Sequence, residues 1–170
     1  DLLESRGLGD VYKRQPISAM GSRNSPVPVQ VGSGIPTKIR DYVYCLPFND
    51  FDAVEQCLND HHGEIAALLV EPCLGNIVGI EPKDGFLQHL RNLCDKYNVV
   101  LIFDEVKTGF RLSNGGARET YEVIPDISTY AKSLGNGVPV AAFGGKSEVM
   151  NVIGGGSLAH AGTFGGNGVS

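Results

Sequence analysis

The chain has 170 residues, 42% of them hydrophobic, which is enough for one domain with a hydrophobic core. Its 14 lysines and arginines are outnumbered by 19 aspartates and glutamates, and the formal net charge is -5, so a nucleic-acid partner is not expected. The longest apolar runs, at residues 65–70 and 99–103, are far shorter than the roughly 20 residues that cross a bilayer, so no membrane partner is expected either.

The N-terminal residues and the cysteines favour a cytoplasmic protein. Residues 1–15 lack the apolar middle and the small-residue cleavage site of a secretory signal. The four cysteines have no C-x-x-C spacing, which predicts reduced thiols, and the four histidines form no metal-binding pattern, so no metal is expected. Residues 1–30 have no helical or strand period and are interpreted as an irregular or foreign segment.

The first predicted elements alternate between helix and strand. Apolar residues at helical spacing predict a helix over 51–61, with Asn49 or Asp50 as its cap. The continuous apolar run at 65–70 predicts a strand that is buried on both faces. Residues 82–97 carry a 3.6-period apolar stripe and are predicted to form a second helix.

A second apolar run at 99–103 completes a strand, helix, strand order, which is typical of a βαβ unit in a parallel sheet. Further elements are predicted at 117–121 (helix), 127–131 (strand), 140–143 (strand) and 147–152 (helix). The predicted fold class is therefore α/β, with a mostly parallel sheet and flanking helices.

Three polar residues follow predicted strands: Glu71, Asp104 and Lys132. In open α/β sheets, ligands bind at the carboxyl ends of the strands. Asp104 needs a cationic partner there, which a protonated pyridine nitrogen, a metal or an arginine would provide; it is otherwise a carboxylate that caps a turn. Lys132 precedes a turn of small residues, which favours a nucleophilic amine, although a solvated lysine also fits this pattern.

The apolar run that ends in Asp104-Glu105 also fits a Walker B element of a magnesium-dependent ATPase. A phosphate loop should accompany it, but Val140 replaces the first glycine in the segment that ends at Gly145-Lys146-Ser147. Residues 162–167 have a composition suited to binding an anion through backbone N–H groups, or to forming an ordinary loop.

Taken in order, several motifs resemble class III aminotransferases, which depend on pyridoxal 5'-phosphate (PLP). They are L-V-E-P at 69–72, L-I-F-D-E-V at 101–106, T-G-F-R at 108–111, P-D-I at 125–127, A-K at 131–132 and G-T at 162–163. The similarity covers about residues 31–167, and further details resemble the glutamate-1-semialdehyde 2,1-aminomutase branch. The resemblance implies a partial large domain of PLP-dependent transferase fold type I over 31–170, without the small C-terminal domain.

The resemblance also implies the roles of individual residues. Lys132 would form a Schiff base with PLP and transfer a proton during catalysis, and Asp104 would pair with the pyridine nitrogen. Val106 would pack against the cofactor ring. Gly162 and Thr163 would contact the cofactor, and Thr163 would do so across the interface of a homodimer.

Glu71 and Asn76 are the expected contacts of small-molecule amino and keto or aldehyde substrates. The implied reaction is transfer of an amino group from an amino donor to a small carbonyl acceptor, and the alternative is the intramolecular amino transfer of the aminomutase branch. Lys107 and Asn136 depart from the aminomutase pattern. The upstream segment of the family, with its phosphate loop, is missing, so the chain by itself is expected to be inactive.

Overall fold

The structure, a computed structural model, describes residues 37–75, 79–154 and 168. The predicted N-terminal segment 1–30 therefore lies outside the described residues. The chain divides into two compact units, of which the first takes the described residues up to Cys57 and the second takes those from Leu58 onward.

The first unit contains a short 3-10 helix, Thr37–Tyr42, and most of helix α1, Phe51–Asp60. Helix α1 confirms the first helix predicted from the sequence. Its cap is Asp50, whose carboxylate accepts a hydrogen bond from the Ala53 N–H at 3.0 Å.

The second unit is built on one four-stranded sheet in the order β1-β2-β3-β4. Its strands are β1 (Ala67–Val70), β2 (Val100–Asp104), β3 (Ile127–Tyr130) and β4 (Ala142–Gly145). The first three strands are parallel, and β4 runs antiparallel to β3. The predicted class, α/β with a mostly parallel sheet, is confirmed.

Helix α2, Phe86–Tyr97, connects β1 to β2 and contacts β2. Its buried residues include Phe86 and Leu90, and the adjacent strand buries Leu101 and Phe103 completely. The helix begins four residues later than its apolar pattern predicts because Gly85, with a φ of 78°, has a left-handed conformation that a helix cannot include.

Strand β1 is less buried than the sequence predicts. The side chain of Leu69 is 61% exposed, and Leu68 and Val70 are only half-buried. In the described part of the chain β1 is an edge strand, so it has a strand neighbour on one side only. The prediction of a strand buried on both faces is therefore wrong for β1, whereas β2, which has neighbours on both sides, fits that pattern better.

The remaining helices are α3 (Ala117–Thr120) and α4 (Ser147–Gly154). Both helices were predicted. Strand β4 lies two residues further along the chain than predicted. All four cysteines are free thiols, as expected. In the part of the chain that the structure describes, no helix is both long and apolar enough to span a membrane.

Asp126, directly before β3, joins the sheet to two neighbouring elements. One of its carboxylate oxygens, Oδ2, accepts hydrogen bonds from the Leu101 N–H at 2.7 Å and from Arg91 Nη1 of α2 at 2.8 Å. The other, Oδ1, pairs with Lys146 Nζ at 2.7 Å. Burial alone would raise the pKa of Asp126, but Lys146, the Leu101 N–H and Arg91 outweigh it, so the pKa is lowered. Lys146, the lysine of the incomplete phosphate loop, is thus ion-paired to the sheet.

Candidate active site

Three of the predicted site residues lie at or just after the carboxyl ends of β1, β2 and β3. They are Glu71, Asp104 and Lys132. Val70 is in register with Phe103, so Glu71 and Asp104 follow at the same level on neighbouring parallel strands. Asp104 is itself in register with Thr129 of β3, and Lys132 comes three residues after Thr129. Because the three strands are parallel, their carboxyl ends lie together, where α/β proteins bind ligands.

The carboxylate of Asp104 is half-buried, and both of its hydrogen bonds fall on one oxygen. Asp104 Oδ1 accepts from the Val106 N–H at 3.1 Å and from Thr129 Oγ1 at 3.4 Å. No residue in the described ranges donates to Asp104 Oδ2. One carboxylate oxygen therefore stays available to a cationic ligand.

Glu105 anchors the loop that follows β2. It is 1% exposed, and its Oε2 accepts hydrogen bonds from the Ala117 N–H at 2.6 Å and from Thr108 Oγ1 at 3.5 Å. Burial raises the pKa of the Glu105 carboxyl, and these donors offset the rise only in part. The carboxylate thus holds the start of α3 against the loop, which gives the buried acid a structural role.

The same loop packs against β3 at Gly109. A Cβ added at this position would lie 2.6 Å from the Tyr130 ring and 2.8 Å from the Glu105 carbonyl oxygen, so only glycine fits. The neighbouring ring of Phe110 lies 5.6 Å from the Tyr130 ring, measured between centroids. The loop after β2 is thus fixed to the strand that leads to Lys132.

Lys132 lies in a tight turn after β3. Its backbone φ is 31°, a left-handed value that is unusual for a residue with a side chain. The turn is closed by hydrogen bonds from Leu134 N–H to the Ala131 carbonyl at 2.7 Å and from Asn136 N–H to the Lys132 carbonyl at 2.8 Å. The Lys132 side chain is exposed, and its amine has no hydrogen bond or ion pair among the described residues.

A side-chain hydrogen bond connects the loops that carry Asp104 and Lys132. Arg111 Nε donates to Ser133 Oγ at 2.9 Å, and Ser133 is the residue directly after Lys132. Together with the packing at Gly109, this contact fixes the position of the loop after β2 relative to the turn after β3.

Glu71 binds its own turn in this structure. Its Oε2 accepts a hydrogen bond from the Gly75 N–H at 3.1 Å. The Lys107 side chain lies so close to Gly75 that an added Cβ would be 2.6 Å from Lys107 Cδ. The turn after β1 and the loop after β2 therefore meet at Gly75.

Three predicted site residues, Asn76, Gly162 and Thr163, lie outside the described residues. In contrast, the sequence analysis missed Thr129 and Ser133, whose hydroxyls bind Asp104 and Arg111. Only the strand register shows that Thr129 neighbours Asp104, and a single sequence does not contain that register.

The comparisons with known proteins identify the family. The family model for Aminotransferase class-III matches residues 38–170. The chain belongs to the class III aminotransferase family. It is 44% identical over 151 residues to glutamate-1-semialdehyde 2,1-aminomutase of Methanocaldococcus jannaschii, a match that covers 88% of this chain and 34% of that protein.

Solved aminotransferases share the fold. An omega-transaminase from Sphaerobacter thermophilus is similar with a TM-score of 0.75 and 39% identity, over 85% of this chain and 34% of that one. A transaminase solved with PLP bound is similar with a TM-score of 0.79 and 27% identity, over 88% of this chain and 35% of that one. This class III chain thus spans about a third of the length of these relatives, and it represents part of a fold-type I domain.

The chemistry at the sheet edge fits the PLP of class III aminotransferases. A carboxylate with a free oxygen suits a protonated pyridine nitrogen, and Asp104 offers one at Oδ2. An amine without an ion pair suits covalent attachment to an aldehyde. The Lys132 amine has no ion pair to any residue that the structure describes. Val106, two residues after Asp104, has a half-buried side chain.

Proposed function

We propose that the full-length protein containing this chain is a PLP-dependent aminotransferase, which transfers an amino group from an amino donor to a small carbonyl acceptor. The observation that carries the proposal is the placement of Asp104 and Lys132 at the ends of the adjacent parallel strands β2 and β3. Membership in the class III family supports the same activity.

When bound, PLP supplies an electron sink for the bonds at the carbon that carries the substrate amine. Asp104 would hold a proton at the pyridine nitrogen through Oδ2. Lys132 would hold the cofactor at its aldehyde group through Nζ, and its amine would move a proton to or from the substrate carbon.

The remaining site residues are part of the same proposal. Val106 packs against the cofactor ring, Gly162 and Thr163 bind the cofactor, and Glu71 and Asn76 contact the substrate. The Gly75 N–H hydrogen bond orients one oxygen of Glu71 and leaves the other for a substrate group. The proposed assembly is a cytoplasmic homodimer, in which residues 31–170 form part of the PLP-binding large domain after a separate segment 1–30.

The second candidate is a glutamate-1-semialdehyde 2,1-aminomutase, which moves an amino group within one substrate. The 44% identity to an aminomutase favours it. The two functions differ in their products, because an aminotransferase releases a keto product from its donor, whereas an aminomutase converts one substrate into its isomer without a net keto product.

Turnover of the full-length protein tests the proposal. With PLP, an amino donor and a carbonyl acceptor, we expect a keto product, and Lys132→Ala should lower the rate by about a hundredfold to ten-thousandfold because the proton-transfer amine is lost. Lys96→Ala, which removes a lysine of α2, is the matched control and should keep the wild-type rate.

Two outcomes would count against aminotransferase activity. Undiminished turnover in Lys132→Ala would exclude Lys132 as the catalytic amine. Quantitative formation of an isomer of the substrate, with no keto product, would replace the first candidate by the aminomutase.

A further inference from the structure

Thr129 is the one side chain from another strand that binds the Asp104 carboxylate among the described residues. The two residues are register partners on adjacent parallel strands, so their side chains point to the same face of the sheet, with backbones about 4.8 Å apart. This placement lets Thr129 Oγ1 donate to Asp104 Oδ1 at 3.4 Å.

The second donor to Asp104 is local. The Val106 N–H, two residues further along the chain, binds the same Oδ1 at 3.1 Å and belongs to the loop after β2. The terminal torsion of an aspartate is broad and roughly two-fold, so one donor on a loop leaves the carboxylate plane free to swing. A β-branched residue in a strand has a restricted χ1, and Thr129 therefore provides a fixed second donor.

Both donors bind Oδ1, and this sets the direction of the other oxygen. With Oδ1 held from two sides, Oδ2 keeps one orientation at the carboxyl end of β2. The hydroxyl is not needed for the strand itself, because valine has the same shape and a high preference for strands.

We propose that Thr129 is a positioning residue for the cofactor, which holds the Asp104 carboxylate so that Oδ2 faces the pyridine nitrogen. The inference rests on the proposed function, because both give Asp104 the pyridine nitrogen of PLP as its partner. It adds a role for Thr129, which contacts the Asp104 carboxylate but does not itself touch the reacting atoms.

The test compares Thr129→Val, which removes the hydroxyl, with Thr129→Ser, which keeps it, in the full-length protein. Two quantities are measured: the equilibrium Kd of the apo protein for PLP, and the protonation of the ring nitrogen, followed by magnetic resonance of isotopically labelled PLP across a pH series. Thr120→Val is the control, because the Thr120 hydroxyl donates to the Gly116 carbonyl at 3.2 Å and not to Asp104.

For Thr129→Val we expect a Kd raised roughly tenfold, as the loss of one hydrogen bond to a charged group predicts, and loss of the ring-nitrogen proton at lower pH than in wild type. Thr129→Ser should stay within about twofold of the wild-type Kd, and Thr120→Val should match wild type. Should Thr129→Val fail to fold, Thr129→Ala removes the same hydroxyl and replaces it in the comparison.

Wild-type Kd and wild-type protonation in Thr129→Val would overturn the inference, as would equal defects in Thr129→Val and Thr129→Ser. These outcomes are distinct from failure of the proposed function. If wild-type protein carries PLP on Lys132 and only the Thr129 comparison fails, the inference alone is wrong, whereas wild-type protein without PLP on Lys132 overturns both.

Discussion

Asp126 shows how a single residue joins several elements at the amino ends of β2 and β3. Its side chain is 10% exposed, and its carboxylate is bound by Arg91, Lys146 and the Leu101 N–H. Arg91 belongs to α2, Leu101 belongs to β2, and Lys146 directly precedes α4. One charged group therefore connects these three parts of the fold. Loss of the charge leaves Arg91 and Lys146 without their common buried partner.

We therefore expect Asp126→Asn to lower the free energy of unfolding by about 3–5 kcal/mol at neutral pH, as measured by denaturant unfolding of the full-length protein. Asp95→Asn is the control, since Asp95 pairs with the same Arg91 at 2.7 Å but its side chain is 63% exposed. The control should cost at most about 1 kcal/mol.

The lowered pKa of Asp126 also sets the sign of a pH effect. Because the folded-state pKa lies below the unfolded value, the stabilisation is complete above the unfolded pKa and is lost as the pH falls through the folded pKa. The free energy of unfolding of wild-type protein should lose its advantage over that of Asp126→Asn on acidification, and an advantage that stays the same at every pH would contradict this account.

At the residue scale, the sequence predicted which polar residues follow the strands, but not which side chains hydrogen-bond to them or to their loops. Asp104 and Lys132 follow apolar runs, and that pattern can be read directly. Thr129 and Ser133 are ordinary strand and turn residues, and their roles depend on register and on loop approach. The apolar run that ends in Asp104-Glu105 also fitted a Walker B element, whereas the structure buries Glu105, whose carboxylate accepts a hydrogen bond from the first N–H of α3.

At the scale of elements, the loop after β2 and the turn after β3 are joined by the Arg111–Ser133 hydrogen bond. The left-handed backbone of Lys132 costs roughly 1–3 kcal/mol and persists only where the surroundings hold it. The turn hydrogen bonds and the contact to Arg111 supply that restraint.

A double-mutant cycle on this pair measures the restraint. Arg111→Met and Ser133→Ala should each raise the Kd for PLP about twofold to tenfold, and the double variant should be no worse than the poorer single variant, because both changes remove the same bond. Arg118→Met is the matched control for loss of an arginine. Additive effects of the two changes would show that the pair does not act as a unit.

Element boundaries were predicted less well than element types. Periodicity identified α2, but it did not detect that Gly85 takes a left-handed φ. Strand β4 was predicted at 140–143, where the residues are more apolar, yet pairing with β3 selects Ala142–Gly145. A Cβ at Gly145 would collide with the Asp126 carbonyl, so this glycine, which weakens the strand prediction, is what allows the close pairing there.

At the scale of the whole molecule, the ordered motifs were enough to predict the family, which the match over residues 38–170 confirms. The motifs at 69–72, 101–106, 108–111 and 131–132 each lie at a strand end or in the loop that follows it. Substrate identity is different, since this chain spans only about a third of the length of the relative it matches.

Lys132 is the residue that we propose binds PLP. The most direct measurement is borohydride reduction of the PLP-loaded full-length protein, followed by peptide mass mapping. We expect one pyridoxyl group on Lys132, which is absent from Lys132→Ala. Folded, PLP-treated protein that carries no label on Lys132 would contradict the account.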